Sequence, residues 1–131
     1  MHSRNLTDAS LLAHLHTLGI SSLASRFPTG LDHTAANWAD LLSIGLQQRI
    51  AMARLFYHAP KYAILDECTS SVGPEVEAVM YQEARRLGVT LMTVSHRRSL
   101  WKWHERILWF DGRGGYGFGV LDVERRMALE E

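Results

Sequence analysis

The sequence has little cysteine and no net charge. Its 131 residues include one cysteine, Cys68, so no disulfide can form within the chain and a reducing compartment is acceptable. Fourteen basic and fourteen acidic residues balance each other, which removes the electrostatic basis for binding nucleic acid. We therefore expect neither an internal disulfide nor a nucleic-acid partner.

Long apolar runs are missing as well. No stretch approaches the roughly 20 consecutive apolar residues of a membrane-spanning helix, and residues 1–4 lack the apolar segment of a signal peptide. If the chain works at a membrane, we expect something else to bring it there. Because 47% of the residues are apolar, we expect one folded domain with a modest core.

The first third of the chain carries helical signals. Four leucines at helical spacing predict a helix that Thr7 or Asp8 caps and Gly19 ends. These leucines are Leu11, Leu12, Leu15 and Leu18. A second short helix is expected near residues 21–26, followed by a polar loop at residues 29–37.

A longer helix is predicted after residue 42. Ser43 is a good N-cap for this helix, and Pro60 marks its end. Its apolar face would consist of Leu46, Ile50, Ala53 and Phe56 or Tyr57. A Ser-x-Gly sequence at a helix N-terminus can bind an anion through free backbone N–H groups, although most capped helices bind no phosphate.

A strand, a helix and a second strand follow. A buried strand is predicted at residues 62–65 and ends in the acids Asp66 and Glu67. A helix beginning at Pro74 leads to a second apolar strand, which His96 follows, so we expect a parallel pair. Ligands of parallel sheets bind outside the carboxyl ends of the strands, where these polar residues would lie. Taken singly, the acids could equally be helix-capping groups and the histidine a hydrogen-bonded loop residue.

The remaining residues predict a short helix, a hairpin and a tail. Residues 97–104 have the pattern of a short amphipathic helix, and residues 106–110 that of a strand. A glycine-rich turn at residues 111–115 leads into residues 116–121, which favours a β-hairpin. Residues 122–131 are expected to form a polar helical tail.

In combination, three motifs resemble the later half of an ABC transporter nucleotide-binding domain. They are Leu42-Ser43-x-Gly45-x-x-Gln48-Arg49, Asp66-Glu67 and Ser95-His96. Ser43 and Gly45 match the signature motif of that domain. Asp66 matches the Walker B aspartate, Glu67 the catalytic glutamate, and His96 the switch histidine.

The connecting sequence is similar to the peroxisomal subfamily, subfamily D. The similar stretches are Ala53–Ala63, Leu65–Ser70, Ser95–Lys102 and Asp111–Phe118. The resemblance covers residues 7–122. It implies a half-transporter that dimerises and uses ATP to import long-chain fatty acids or their CoA esters into peroxisomes. The chain would then lie at the cytosolic face of the peroxisomal membrane.

The resemblance also implies roles for the motif residues. Asp66 would hold Mg²⁺ through a water molecule, Glu67 would polarise the attacking water, and His96 would contact the γ-phosphate. ATP would be bound between two such domains, so a second nucleotide-binding domain and the transporter's transmembrane domain are the implied partners. The signature residues in contact with this ATP would be Ser43, Gly45 and Gln48.

The sequence departs from the family pattern at several positions. It contains no glycine-rich P-loop of the form G-x-x-x-x-G-K-[ST], and no Q-loop. Ile44 replaces the usual glycine of the signature and would crowd a close approach to phosphate. Leu46 replaces the usual Gln or Glu. Gly73 lies in the D-loop, where many ABC proteins, though not typical subfamily D members, carry aspartate.

We therefore expect an α/β chain with a partial P-loop NTPase fold of the ABC ATPase type. It would comprise the signature helical subdomain and the later parallel strands, without the P-loop portion. Residues 1–122 would form the C-terminal part of the domain, divided into 7–60 and 61–122, with a tail at 123–131. The expected function is an ATP-binding or ATPase module that does not hydrolyse ATP alone. The alternatives are a non-catalytic partner that supplies its signature to another ABC domain, and a non-functional truncated product.

Overall fold

The computed structural model describes residues 6–122, which fall into two compact units. The first unit runs to Val94 and the second begins at Ser95. The first unit contains α1 (Asp8–Thr17), α2 (Trp38–Leu41), α3 (Ile44–His58), β1 (Tyr62–Asp66), α4 (Pro74–Arg86) and β2 (Thr90–Val94), with 3₁₀ turns at Ala24–Arg26 and Gly30–Asp32. Among the described residues, no helix has the length and apolar content to cross a membrane.

The helix α1 begins and ends where the sequence predicts. Thr7 Oγ1 accepts from the Ser10 N–H at 3.2 Å, and Ser10 Oγ accepts from the Thr7 N–H at 3.1 Å, which forms a capping box. Gly19, with φ of +71°, follows the helix in the left-handed conformation. Arg49 of α3 donates to the Leu18 carbonyl at 3.3 Å and thereby ties α3 to the end of α1.

The core of the helical part lies largely on α1, α3 and the segment between them. Phe56 and Met52 of α3 are among the largest fully buried side chains. The other buried apolar residues here are Leu15, Leu18, Ile20, Leu23, Leu42 and Ala53. The predicted apolar face of α3 omitted Met52, which lies beside Ala53 and is 1% exposed.

The strands β1 and β2 pair in parallel, as the sequence predicts, with Tyr62 opposite Thr90 and Asp66 opposite Val94. The connecting helix α4 buries Met80, Ala84 and Tyr81. The Tyr81 hydroxyl lies 3.1 Å from Thr93 Oγ1 on β2, and burial raises the pKa of this tyrosine. The pair therefore fixes α4 against the sheet.

One face of this sheet differs from the prediction of a buried strand. Tyr62 and Ile64 on β1 are 67% and 71% exposed, and Met92 and Val94 on β2 are also largely exposed. These side chains share a face, because alternate residues of a strand point the same way and the register pairs them across the sheet. The opposite face includes the buried Leu65. The apolar run thus predicted the strand correctly but not the burial of both its faces.

The second unit contains a 3₁₀ helix and a hairpin. The short helix predicted at residues 97–104 is a 3₁₀ helix over Arg98–Trp103. The predicted hairpin is confirmed, with β3 (Arg106–Phe110) antiparallel to β4 (Tyr116–Val120). Asp111 Oδ1 closes the turn by accepting from the N–H groups of Arg113 and Gly115 at 2.7 and 2.9 Å. Apart from Asp122, the tail predicted at residues 122–131 lies outside the described residues.

Candidate functional site

The N-terminus of α3 is a capped helix end, as predicted from Ser43. Ser43 Oγ accepts from the Leu46 N–H at 3.3 Å, and the Gln47 N–H donates to the Ser43 carbonyl at 3.0 Å. The side chain of Ser43 is exposed, and so is that of Ile44, at 63%. The first N–H groups of a helix have no intrahelical acceptor, so this end presents backbone donors and the positive end of a helix dipole.

The acid pair lies at the carboxyl end of β1. Asp66 is the last residue of the strand, and both acids are exposed. The Glu67 N–H donates to the Val94 carbonyl at 3.1 Å, which extends the pairing of β1 with β2 by one hydrogen bond. Glu67 itself has φ of +50°, a left-handed backbone that residues other than glycine seldom adopt.

The turn after the acid pair packs directly against the start of α3. Gln48 Nε2 donates to the Glu67 carbonyl at 3.3 Å and to Ser70 Oγ at 2.8 Å, while Gln48 Oε1 accepts from the Ser71 N–H at 2.9 Å. A Cβ on Gly45 would lie 2.7 Å from the Ser71 carbonyl oxygen. In the structure, the N-terminal part of α3 therefore contacts the turn that follows Asp66 and Glu67. The sequence motifs at residues 42–48 and 66–67 did not indicate this contact.

Cys68 lies in this turn and is half-buried. Burial raises the pKa of its thiol, a backbone hydrogen bond with Asp66 opposes the shift, and the charges of Asp66 and Glu67 add to it. The thiol is therefore protonated at neutral pH, which makes it a poor nucleophile and a poor metal ligand.

His96 belongs to the second unit, two residues beyond the end of β2. Its side chain is exposed. Of the predicted site residues, the first unit therefore holds Ser43, Gly45, Gln48, Asp66 and Glu67, and the second holds His96.

The residues that the sequence analysis missed are Ser70 and Ser71. Ser70 Oγ and the Ser71 backbone supply three of the four contacts described above between the turn and α3, and the Glu67 carbonyl supplies the fourth. The only signal for them is a polar Thr-Ser-Ser run that begins two residues after Glu67, and such a run also occurs in ordinary loops.

Comparison with known proteins places this arrangement in a family. No family model matches the chain. Mouse ATP-binding cassette sub-family D member 3 is 50% identical over 115 residues, and these cover 88% of this chain. Drosophila melanogaster ATP-binding cassette sub-family D member 1 is 43% identical over 95% of the chain. The chain belongs to ABC transporter subfamily D. It spans 17% of the length of either relative.

A solved structure supports the same fold for this subfamily D chain. A bacterial Atm1-family ABC exporter with ATP bound matches 88% of the chain with a TM-score of 0.69 and 24% identity. The match covers 21% of the exporter chain. The predicted partial ABC ATPase fold is thereby confirmed.

Gly45 provides a test of the contact between α3 and the turn. Alanine is a better helix former than glycine by about 1 kcal/mol, so Gly45→Ala would stabilise a free helix end. Here the added methyl group meets the Ser71 carbonyl, and we expect a net loss of about 1–3 kcal/mol in the free energy of unfolding. Urea unfolding followed by circular dichroism measures this difference.

Gly119→Ala is the matched control for that substitution. A Cβ at Gly119 meets no atom within 4 Å, and its backbone is not left-handed. We expect its unfolding free energy to change by less than about 1 kcal/mol. A Gly45→Ala protein as stable as the wild type would show that α3 and the turn are not in close contact.

Proposed function

We propose that the chain is the later part of the ATP-binding module of a subfamily D transporter. The observation that carries this proposal is the joining of the Ser43 end of α3 to the turn that bears Asp66 and Glu67. The two relatives' names describe ATP-binding cassette proteins. The joined elements are the ones that the family resemblance assigns to the phosphates of ATP.

The residues of this joined region suit phosphate chemistry. Ser43 Oγ accepts from the Leu46 N–H, so its hydroxyl proton is still able to donate to a phosphate oxygen. The Gly45 N–H and the helix dipole would add to that contact. The exposed carboxylate of Glu67 would polarise the attacking water. The family resemblance assigns to His96, outside this region, the contact that orients the γ-phosphate.

The exposed carboxylate of Asp66 also fits a Mg²⁺ site. In residues 6–122, no three or more His, Cys, Asp or Glu side chains gather into a group that could hold a metal. Mg²⁺ is commonly bound by one or two carboxylates together with water and phosphate oxygens, and the exposed Asp66 can supply one. When bound, the ion would neutralise charge on the phosphates.

The transported substrate and the location are proposed from the family resemblance. The resemblance to subfamily D implies import of long-chain fatty acids or acyl-CoA, with this chain at the cytosolic face of the peroxisomal membrane. The human lysosomal cobalamin transporter ABCD4 is 42% identical over 93% of the chain, so its substrate class is the competing one. The partners would be a transmembrane domain and a second nucleotide-binding domain.

A segment exchange tests the proposal. The 115 matched residues of mouse sub-family D member 3 would be replaced by those of this chain, and ATP hydrolysis and acyl-CoA import would be measured in vesicles. We expect the exchanged transporter to retain both activities, while the isolated 131-residue chain hydrolyses no ATP. Loss of hydrolysis in an exchanged protein that folds and assembles would refute the proposal.

A second candidate function is that of a non-catalytic partner. It is favoured by the exposed Ser43 end of α3, which can present its hydroxyl and backbone N–H groups to a nucleotide held by another domain. The chain would then contribute its signature residues to ATP held by another nucleotide-binding domain, and would associate with it only when ATP is present.

Ser43→Arg tests this candidate. Arginine is larger than serine and removes both the cap and the hydroxyl donor, so we expect ATP-dependent association to weaken at least about tenfold. The measurement is titration calorimetry of the chain against the mouse relative's nucleotide-binding domain, with and without MgATP. Ser22→Arg, at an exposed serine before the first 3₁₀ turn, is the control. Association that is equally strong without ATP would exclude this candidate.

A further inference from the structure

Gln48 lies in the second turn of α3, and its side chain faces the turn formed by residues 67–71. A glutamine amide has two N–H donors and one carbonyl acceptor. Both donors are used, on the Glu67 carbonyl and on Ser70 Oγ, and the acceptor is used on the Ser71 N–H. Both polar atoms of the amide thus have partners within the chain, and both N–H donors are used.

Glu67 is the residue whose backbone most needs these contacts. A left-handed conformation at a non-glycine residue costs of order 1–3 kcal/mol, and it persists only where surrounding contacts enforce it. The Glu67 N–H is held by the Val94 carbonyl at 3.1 Å, and its carbonyl is held by Gln48 at 3.3 Å. One contact comes from the sheet and the other from α3, so both peptide groups that flank the Glu67 Cα are fixed.

The same two elements also meet at Gly45. Its Cα approaches the Ser71 carbonyl so closely that no side chain fits between them, although nothing about a free helix end requires glycine there. Gly45 and Gln48 lie three residues apart and therefore on one face of α3. The Ser43 end of the helix and the Glu67 turn would then move as one body.

We propose that Gln48 is a positioning residue that holds Glu67 in its left-handed conformation and links it to the Ser43 end of α3. The proposal rests on the proposed function, because Glu67 is the group assigned to polarise water. Gln48 would act by positioning Glu67 and would not contact the nucleotide directly. Phosphate binding at the Ser43 end of α3 would then be coupled to the position of the Glu67 carboxylate through the Gln48 amide.

The first test is nuclear magnetic resonance on the full chain. In Gln48→Leu we expect the Glu67 and Ser71 amide signals to move and the exchange protection of the Ser71 amide to fall at least about tenfold. Gln47→Leu is the matched control, because the Gln47 side chain donates to the Leu42 carbonyl just before its own helix and not to the turn. In the control, both signals should stay in place.

Gln48→Glu separates the two contacts. An ionised carboxylate can accept from the Ser71 N–H but cannot donate to the Glu67 carbonyl. We expect protection of the Ser71 amide to be retained, within about twofold, while the Glu67 signals shift as in Gln48→Leu. Glu67 signals that are unchanged in both variants would overturn the proposal.

The second test separates positioning from ligand binding in the exchanged transporter. With Gln48→Leu we expect kcat for ATP hydrolysis to fall at least about tenfold, and KM for MgATP to change less than about twofold. A rise in KM with kcat unchanged would overturn the proposal, because it would mean a direct contact with the nucleotide. If the exchanged wild-type transporter hydrolyses no ATP, the proposed function fails, and the resonance experiment alone decides whether Gln48 positions Glu67.

Discussion

Replacing Glu67 by glutamine in the exchanged transporter is expected to lower kcat for ATP hydrolysis about 10²–10³-fold, with KM for MgATP changed less than about threefold. The amide has the shape of the carboxylate but cannot accept a proton or polarise water as an anion does. Because the side chain is exposed and glutamine has nearly the same size and shape as glutamate, Glu67→Gln should leave the fold intact. Steady-state hydrolysis over a range of MgATP concentrations gives both constants.

Glu75→Gln is the matched control for Glu67→Gln. Glu75 is also exposed, but it lies in the first turn of α4, outside the proposed site. We expect its kcat to stay within about twofold of the wild type. If Glu67→Gln kept more than half of the wild-type kcat, or if its loss appeared only in KM, the assignment of Glu67 as the group that polarises water would be wrong.

The elements that could be predicted from the sequence are those fixed by local chemistry. The cap at Thr7 and the left-handed stop at Gly19 involve residues within a few positions of one another, and so does the Asp111 turn of the hairpin. Ser43 was predictable as an N-cap for the same reason. Such signals need no knowledge of tertiary structure.

The contacts that could not be predicted join residues far apart in sequence. Gln48 lies 19 and 23 positions from the Glu67 and Ser71 groups that it contacts, and no periodic pattern encodes such a pairing. The left-handed backbone of Glu67 has no local signal either, since glutamate does not favour it. The motifs nevertheless predicted Gln48 and Glu67 as site residues. Only the structure shows that Gln48 donates a hydrogen bond to the Glu67 carbonyl.

Burial was predicted less well than secondary structure. An apolar run indicates a strand but does not indicate what covers each of its faces, so Tyr62 and Ile64 were expected to be buried and are exposed. In α4, Glu77 is 4% exposed although its type predicts a surface position. Both cases depend on which surfaces meet in the folded chain.

Phe56 carries the largest expected effect on stability. Its side chain is 0% exposed in the last turn of α3, and its ring centroid lies 5.9 Å from that of His14 on α1. Phe56→Ala would remove a buried ring from between these helices and leave a cavity, which costs about 3–5 kcal/mol. A domain has about 5–15 kcal/mol of stability in total, so this variant should be partly unfolded at 37 °C. Urea unfolding with a fitted midpoint and slope measures the loss.

Phe110→Ala provides the matched comparison, because it makes the same substitution at a ring that is 73% exposed on β3. We expect a change of less than about 1 kcal/mol there.

The pair also decides whether the chain has a specific core at all. A truncated product without a stable fold would show no cooperative transition, and Phe56→Ala would then be indistinguishable from Phe110→Ala. A cooperative wild-type transition whose midpoint only Phe56→Ala moves to lower urea concentration would instead show that α1 and α3 pack around this ring. The Ser43 end of α3 would then belong to a stably folded unit.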